Sequence, residues 1–208
     1  MGAAFSSSPT KPNLQLGEPS QGGDLVVVEY DGDQTAGDVN ISVDALQFTA
    51  QKLGPFGYPD GGTGGVQTAI WWGIIGGPAG ADAGIISISL EPSHARQFAD
   101  LSIATYRGGR ADAGLVDMVI DSGDGPYPDG GPMTCGPVAT EVGGLAFFVD
   151  VMWGGGDSPL NPAFVIRQNN QGNPTGDAVP TDGSMMGTQL GCCAGFAQWV
   201  CQTISISP

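Results

Sequence analysis

Short apolar runs separated by Gly, Pro and Asp make up most of the chain between residues 23 and 206. In one of them Ile86, Ile88 and Leu90 alternate with serines, a period of two residues that is typical of a β-strand. β-Branched or aromatic content and turn residues at both ends support the same assignment for the other runs. The runs are Leu25–Tyr30, Val39–Val43, Ala45–Ala50, Val66–Ile75, Gly84–Leu90, Phe98–Tyr106, Leu115–Ile120, Gly144–Trp153, Ala163–Gln168 and Gly195–Ile206.

These runs predict an all-β fold with about nine or ten strands. Several strands are apolar at consecutive positions, which indicates sheets that are covered on both faces. We therefore expect one antiparallel all-β domain over residues 23–208, built as a β-sandwich or a barrel. Residues 1–22 are expected to form an extended N-terminal arm outside the core, because Pro9, Pro12 and Pro19 exclude a helix and an inner strand.

Composition excludes several classes of protein. Gly and Pro contribute 36 and 16 of the 208 residues, but Gly has no three-residue period, which excludes collagen. No apolar run approaches the roughly 18 residues that a membrane span requires. The formal net charge is −15, with 21 acidic and 6 basic residues, so nucleic acid is not an expected partner. Most acids are Asp beside Gly or Pro, which indicates solvated turns.

Two short strings occur twice in the chain. Tyr-Pro-Asp-Gly-Gly occupies Tyr58–Gly62 and Tyr127–Gly131, and Ala-Asp-Ala-Gly followed by two aliphatic residues occupies Ala81–Ile86 and Ala111–Val116. The two separations differ, so no constant period is present and a solenoid is excluded. We interpret both strings as recurrent turn chemistry, in which Pro fixes φ and Gly supplies a positive φ.

The four cysteines, Cys135, Cys192, Cys193 and Cys201, leave three possibilities open. Met1–Ser6 lacks the basic and apolar regions of a secretory signal, so we expect synthesis in a cytosol and favour buried, reduced thiols. A disulfide, such as Cys135 with one of the adjacent pair, would form outside the cell. Zinc bound by these thiolates is the third possibility, although adjacent cysteines in a strand point to opposite faces.

Two Asp-rich segments are candidate calcium loops, and no other cofactor is expected. Calcium requires several oxygen ligands at close spacing, but neither segment has the spacing of an EF-hand. The candidate ligands are Asp31, Asp33 and Asp38 in the first segment and Asp121, Asp124 and Asp129 in the second.

Aromatic residues are the candidate binding residues. Trp71 and Trp72 are adjacent in a strand, so one of them should face outward, where it would mark a sugar site or a subunit contact. Tyr58 and Tyr127 lie in expected turns, which favours contacts outside the domain. The binding candidates are Trp72, Tyr58, Tyr127 and Trp153.

Catalysis is not expected. His94 is the single histidine, and a Ser-His-Asp triad would have to use it. The string Gly156-Asp157-Ser158 is similar to the nucleophile block of one esterase class, but no histidine follows it to act as the base. We therefore predict a protein that is not an enzyme and has no catalytic residue.

Six short pieces follow one another along the chain, and they match a known set of strands and turns. The pieces are Gly23–Val28 for "GDLLLA", Ile70–Gly73 for a Trp strand, Ala81–Gly84 for "GDAG", Ala104–Gly108 for "AYRG", Val142–Val149 for "DGALLVAFF" and Gln198–Ile206 for the last strand. In this order they resemble a β-sandwich domain of tailed-phage virion proteins and related bacterial surface proteins. The Tyr-Arg-Gly strand end is the most specific piece, and the usual "PPSGW" string is replaced here by Gly54–Gly65.

This resemblance implies a jelly-roll-like component of a particle and defines no catalytic residues. We expect a structural subunit or decoration protein of a phage or phage-like particle, made in the host cytoplasm and located in the virion. Its partners would be copies of itself and other particle proteins, contacted through the N-terminal arm and the sheet edges. The alternative is a carbohydrate- or receptor-binding β-sandwich module, with surface glycans as partners.

Overall fold

The fold was analysed on a computed structural model. It describes residues 3–9, 13–33, 40–44, 48–58, 65–91, 99–109, 112–123, 126–127, 132–153, 158–159, 164–170, 173–191, 195–196 and 198–208. Within these ranges every regular element is a β-strand, and every strand pair with a defined register is antiparallel. The prediction of an all-β, antiparallel fold is therefore confirmed.

The strands are more numerous than predicted. The first ten are β1 (Ala3–Pro9), β2 (Asn13–Gln15), β3 (Ser20–Gln21), β4 (Leu25–Asp33), β5 (Asn40–Asp44), β6 (Gln51–Tyr58), β7 (Val66–Ile74), β8 (Asp82–Gly84), β9 (Ser87–Glu91) and β10 (Ala99–Tyr106). The other ten are β11 (Leu115–Gly123), β12 (Pro126–Tyr127), β13 (Pro132–Val138), β14 (Leu145–Trp153), β15 (Ser158–Pro159), β16 (Val165–Asn170), β17 (Asn173–Ala178), β18 (Met186–Gly191), β19 (Gly195–Phe196) and β20 (Gln198–Ile206).

The chain divides into two compact units, whereas we predicted a single domain over residues 23–208. Unit 1 comprises Met1–Pro55 and Ala69–Ala113, and unit 2 comprises Phe56–Thr68 and Gly114–Pro208. Each unit has its own cluster of buried apolar side chains. A second core is therefore the physical reason for the division.

Unit 1 contains two layers of sheet. The larger sheet has the order β1-β10-β4-β7-β6, with the end of β6 and the start of β7 counted in unit 2, and a smaller sheet has the order β2-β9-β5. Both layers contribute to one buried cluster, with Val28 and Trp71 from the larger sheet and Leu14 and Ile88 from the smaller one. This face-to-face packing is consistent with a β-sandwich.

Unit 2 repeats this arrangement. Its larger sheet has the order β11-β20-β14-β17-β16, and a smaller sheet has the order β13-β18-β15. Phe148 and Trp199 of the larger sheet share a buried cluster with Cys135 of the smaller sheet and with Met186, which packs against it. In both the larger and the smaller sheet, each strand of unit 1 has a strand of unit 2 at the same place in the strand order. The chain therefore contains an internal structural repeat.

Hydrogen bonds repeat along with the strand order. Ser20 Oγ donates to the Gly84 carbonyl oxygen (2.9 Å) in unit 1, and Thr140 Oγ1 donates to the Ser184 carbonyl oxygen (2.5 Å) in unit 2. Gly23, with a φ of 86°, precedes β4, and Gly143, with a φ of 79°, precedes β14. A positive φ at the same turn requires Gly in both units.

Unequal loops hide this repeat in the sequence. In the central strand pairs, Tyr106 faces Leu25 in unit 1 and Ile206 faces Leu145 in unit 2. The number of residues from Leu25 to Leu145 therefore differs from the number from Tyr106 to Ile206, although both steps join equivalent positions. The short repeated strings do not mark this duplication, because Ala81–Ile86 leads into β9 and Ala111–Val116 leads into β11, which are not equivalent strands. Residues 23–28 and 142–149 also matched different pieces of one family pattern, although β4 and β14 are equivalent strands.

The N-terminal segment belongs to unit 1. β1 pairs with β10 at the edge of the larger sheet, which agrees with the exclusion of Pro from inner strands. β2 pairs with β9, and Leu14 and Leu16 lie in the buried cluster. The expectation that residues 1–22 lie outside the core is therefore wrong, because these apolar side chains belong to the buried cluster that the two sheets share.

Leu16→Ala tests the place of this segment in the core. The side chain is 2% exposed, so its removal leaves a cavity, and we expect the free energy of unfolding to fall by about 3 kcal/mol. Gln15→Ala is the matched control, since Gln15 is exposed and should change stability by less than about 0.5 kcal/mol. Urea unfolding followed by tryptophan fluorescence measures both, and equal midpoints would contradict the assignment.

Candidate functional site

A pocket of about 430 Å³ opens in unit 1 beside the edge strands of its two sheets. This volume lies within the range of small-molecule sites. β5 supplies two lining residues, the segment before β6 supplies three, and β6 and β7 supply one each. The lining residues are Asn40, Ile41, Phe48, Thr49, Ala50, Lys52 and Trp71.

Lys52 is the charged residue among those that line the pocket. Its Nζ donates to Asn40 Oδ1 at 3.0 Å and lies 5.9 Å from the centre of the Trp71 ring. A cation over an indole face is favourable, so both contacts hold the ammonium in place. Because Lys carries only donors, the contact also fixes the Asn40 amide with its oxygen toward Lys52 and its Nδ2 as a donor on the other side.

Gly73 in β7 determines how closely the segment before β6, which forms one wall of the pocket, can approach β7. A Cβ at this position would lie 2.5 Å from the Thr49 carbonyl oxygen and 2.8 Å from Phe48 Cε2. Phe48 also forms a β-bridge with Ile75. The segment before β6 can therefore pack on β7 only because residue 73 has no side chain.

The same region of unit 2 is packed differently. Phe164, which precedes β16, is 4% exposed and packs edge-to-face on Phe148, with ring centres 5.0 Å apart. Val28 occupies the position of Phe148 in unit 1, and Phe48 there stays half-buried. The described residues of the two repeats therefore differ at this place, and the pocket of unit 1 is the candidate functional site.

The predicted calcium ligands with described side chains lie in strands instead of loops. Asp31 is buried in β4 directly opposite Asp100, and Asp121 Oδ2 in β11 accepts from the Gly136 amide at 3.1 Å. Asp33 ends β4 and its side chain, like residues Asp38, Asp124 and Asp129, lies outside the described part. Within that part, no three His, Cys, Asp or Glu side chains are grouped as a metal site.

The prediction of an outward Trp72 is wrong. Trp71 and Trp72 are 3% and 2% exposed, because both faces of β7 are buried. Tyr58 ends β6 and Tyr127 lies in β12, so neither occupies the predicted turn. Trp153 ends β14, and the side chains of these last three residues lie outside the described part.

Cys135 and Cys201 form a disulfide bond, with their Cα atoms 6.0 Å apart. The expectation of reduced thiols is wrong for this pair, and the partner of Cys135 is not one of the adjacent cysteines. Both residues are buried, and the bond joins β13 of the smaller sheet to β20 of the larger one. Cys192, Cys193, His94 and the Gly156–Asp157 string lie outside the described residues.

Three exposed aliphatic residues lie on neighbouring loops of unit 2. Val142, Val179 and Met185 are 61%, 45% and 58% exposed, and we call them the apolar end of unit 2. Val179 and Met185 lie on one loop, between β17 and β18, and Val142 lies on the loop before β14. The Gly143 amide donates to the Pro180 carbonyl oxygen at 2.8 Å, which joins these two loops. The bond from Thr140 to the Ser184 carbonyl oxygen brings Met185 to the same place.

Acidic residues accompany the apolar end. Glu141 and Asp182 are exposed on the same loops. Hydrogen bonds from the Ser184 hydroxyl and then from its backbone amide lower the pKa of Asp182 below its ordinary value. Asp182 is therefore ionised at neutral pH, and the apolar surface is flanked by negative charge.

Sequence reasoning missed both surfaces. The pocket residues are separated along the chain, and Gly54 and Pro55 in the middle of β6 indicated a turn instead of a strand. Pro is tolerated in β6 because this strand lies at the edge of its sheet. Asn, Thr and a single Lys form no recognisable motif, so only the fold brings them together.

Comparisons with known proteins provide no family. No known protein family, curated protein or solved structure matches this chain. In the described residues, no helix is long and apolar enough to cross a membrane. Function is therefore argued from the two surfaces above.

Gly73→Ala tests the construction of the pocket. The new Cβ would overlap backbone and ring atoms of the neighbouring segment, so we expect a loss of about 1–3 kcal/mol, or several degrees in melting temperature. Gly17→Ala is the control in the same unit, because nothing lies within 4 Å of its Cβ. Differential scanning calorimetry compares the two, and an unchanged melting temperature for Gly73→Ala would refute the close approach.

The disulfide predicts a stability that depends on redox conditions. Its cysteines are 66 residues apart, and closing such a loop raises the free energy of the unfolded chain by about 4 kcal/mol. We expect the Cys135→Ala/Cys201→Ala variant to lose up to that amount and to become insensitive to dithiothreitol. Cys192→Ser/Cys193→Ser, which keeps the bond, should retain the sensitivity of the wild type. A wild-type protein whose urea midpoint ignores the reductant would contradict the bond.

Proposed function

We propose that the chain is a non-enzymatic structural subunit or decoration protein of a phage or phage-like particle. The observation that carries this proposal is the apolar end of unit 2, where three exposed aliphatic residues lie on two loops that are hydrogen-bonded to each other. Scattered exposed aliphatic residues are common, but a cluster on adjoining loops is typical of an interaction surface. The resemblance of the strand order to particle proteins points to the same class.

The architecture suits a structural role. Each unit is built from paired strands with its own buried cluster, so its loops are presented by a rigid support. Loop backbones at the apolar end are hydrogen-bonded to one another, which reduces the entropy lost when a partner binds. Such a surface binds through shape and apolar area.

Charge favours a basic partner at this surface. The chain has a net charge of −15, and Glu141 and Asp182 flank the exposed aliphatic residues. Two copies that met through this end would bring like charges together, whereas a protein with Lys or Arg around an apolar site would be attracted. We therefore propose another protein of the particle as the occupant, with location in the virion.

Incorporation into particles tests this proposal. Tagged wild type and the Val142→Ser/Met185→Ser variant would be expressed in the cells that release the particle, and gradient-purified particles quantified by mass spectrometry. Removing two central apolar contacts should reduce incorporation about tenfold or more. Ile85→Ser is the control, since Ile85 is 46% exposed between β8 and β9 of unit 1 and lies in no edge strand. Absence of the wild-type chain from particles would reject the structural role, and equal incorporation of both variants would reject this surface.

A second candidate function is a carbohydrate- or receptor-binding module. The observation that favours it is the pocket of unit 1, where aromatic, amide, hydroxyl and ammonium groups converge. A concave site with an apolar wall and a few fixed polar groups is typical of small-molecule recognition. Binding of free sugars in calorimetric titrations, lost in Gly73→Ala and kept in Gly17→Ala, would favour this function over a purely structural one.

A further inference from the structure

We propose that the apolar end of unit 2 binds a loop of its partner protein through main-chain hydrogen bonds at Val142. This inference rests on the proposed structural role and names the kind of partner segment that the surface fits. It follows from a difference between the two repeats, because unit 1 covers the equivalent place with a loop of its own.

Gly22 of unit 1 and Val142 of unit 2 occupy equivalent positions. In unit 1 the Gly23 amide donates to the Ile75 carbonyl oxygen at 2.8 Å, which is the counterpart of the bond that the Gly143 amide makes in unit 2. Both of these glycines have a positive φ, and they lie just before the equivalent strands β4 and β14. The residues that precede the two glycines can therefore be compared directly.

A loop of unit 1, residues 76–83, covers Gly22. The Gly22 amide donates to the Ala81 carbonyl oxygen at 2.8 Å, and the Gly22 carbonyl oxygen accepts from the Gly80 amide at 2.9 Å. A Cβ at residue 22 would collide with the Pro78 carbonyl oxygen, so this close contact requires Gly. Unit 1 therefore satisfies both backbone groups of residue 22 without a partner.

Unit 2 leaves the same place open. Its loop has residues 181–183 where unit 1 has residues 76–83, counted between the equivalent hydrogen bonds on either side. Within the described part of the chain, neither the amide nor the carbonyl oxygen of Val142 forms a backbone hydrogen bond. The Val142 side chain is 61% exposed. One donor, one acceptor and one apolar side chain are therefore available to a partner.

Main-chain pairing is the interaction that these open backbone groups favour. Two hydrogen bonds to Val142 would position a partner segment, and apolar contacts with Val142, Val179 and Met185 would add buried area. In unit 1 the residues that pair with the equivalent position are Gly80 and Ala81. Small residues at the point of contact let two backbones approach closely, so the partner segment should have them as well.

Charge defines the rest of the partner segment. Glu141 and Asp182 flank the surface, which favours Lys or Arg on either side of the small residues. The loop at residues 76–83 of a second copy does not fit, because its backbone groups are already bonded to Gly22 and Asp82 would add a negative charge. The occupant is therefore a loop of another protein of the particle.

Hydrogen exchange at the Val142 amide tests the pairing. NMR spectroscopy measures exchange in the free chain, and digestion followed by mass spectrometry with electron-transfer fragmentation measures it in purified particles. Because the free amide forms no backbone bond, its exchange should be fast in the free chain and about a hundredfold slower in particles. The Gly22 amide is the control, since its bond to Ala81 should protect it in both states.

A loop graft tests whether the open place is needed. Residues 181–183 are replaced by the sequence of residues 76–83, together with Val142→Gly, so that unit 2 covers residue 142 as unit 1 covers Gly22. The residue 142 amide of the free variant should become protected from exchange, and incorporation into particles should fall about tenfold or more. Val142→Gly with the native loop is the control. It loses one side-chain contact but keeps the backbone groups open, so incorporation should fall only about threefold.

The outcomes separate this inference from the function on which it rests. Wild-type chain in particles with an unprotected Val142 amide would overturn main-chain pairing and leave the structural role standing. A graft variant that is protected at residue 142 but is incorporated like the wild type would overturn the inference by showing that the partner binds elsewhere. If the graft does not protect residue 142, hydrogen exchange of the wild type alone decides. Absence of the wild-type chain from particles would reject the structural role and this inference with it.

Discussion

Burial of both faces of the central strand pairs is the constraint on which the rest of the structure depends. Every described side chain of β4, β10, β14 and β20 is buried or partly buried, so polar groups at these positions must be satisfied inside the protein. Glu29 is an example, since its carboxylate accepts a hydrogen bond from Ser102 on the neighbouring strand. Acidic side chains on these strands therefore affect the stability of the fold and are not exposed to a binding partner. Surfaces for binding are consequently found at the strand edges and loop ends.

The two repeats use different side chains at equivalent positions to join their larger and smaller sheets. Leu14 and Leu101 join the layers of unit 1 through apolar contact, and the equivalent positions of unit 2 are Cys135 and Cys201, which are covalently bonded. Such exchange is possible because strand order and register, more than any single side chain, define the frame. Once the frame is shared, residues at its edges can diverge, as the pocket of unit 1 and the Phe148–Phe164 contact of unit 2 illustrate.

Local pattern could predict the apolar inner strands, and it could not predict the edge strands or the repeat. β4 and β14 begin with runs of apolar residues, and the isoleucines of β20 alternate with serine, which are both strand signals. β6 and β17 contain Pro and Gly and depend on pairing with a neighbour, so their short-range preferences indicate turns. The candidate site was missed for the same reason. Only the strand order and the close approach at Gly73 bring Asn40, Phe48 and Lys52 together in one pocket. Trp72 was misplaced because alternation alone assumes that one face of a strand meets water.

A weak single site and a structural role are compatible on physical grounds. The pocket of unit 1 offers few polar groups and a short apolar wall, so each copy would hold a monosaccharide only loosely. A particle displays many copies, and linked binding events raise the effective concentration of every further contact, which increases avidity by orders of magnitude without new contacts. The apolar end of unit 2 would supply the attachment, and the pocket of unit 1 would supply the recognition. The two surfaces consist of different residues in different units, so variants of each can be made separately.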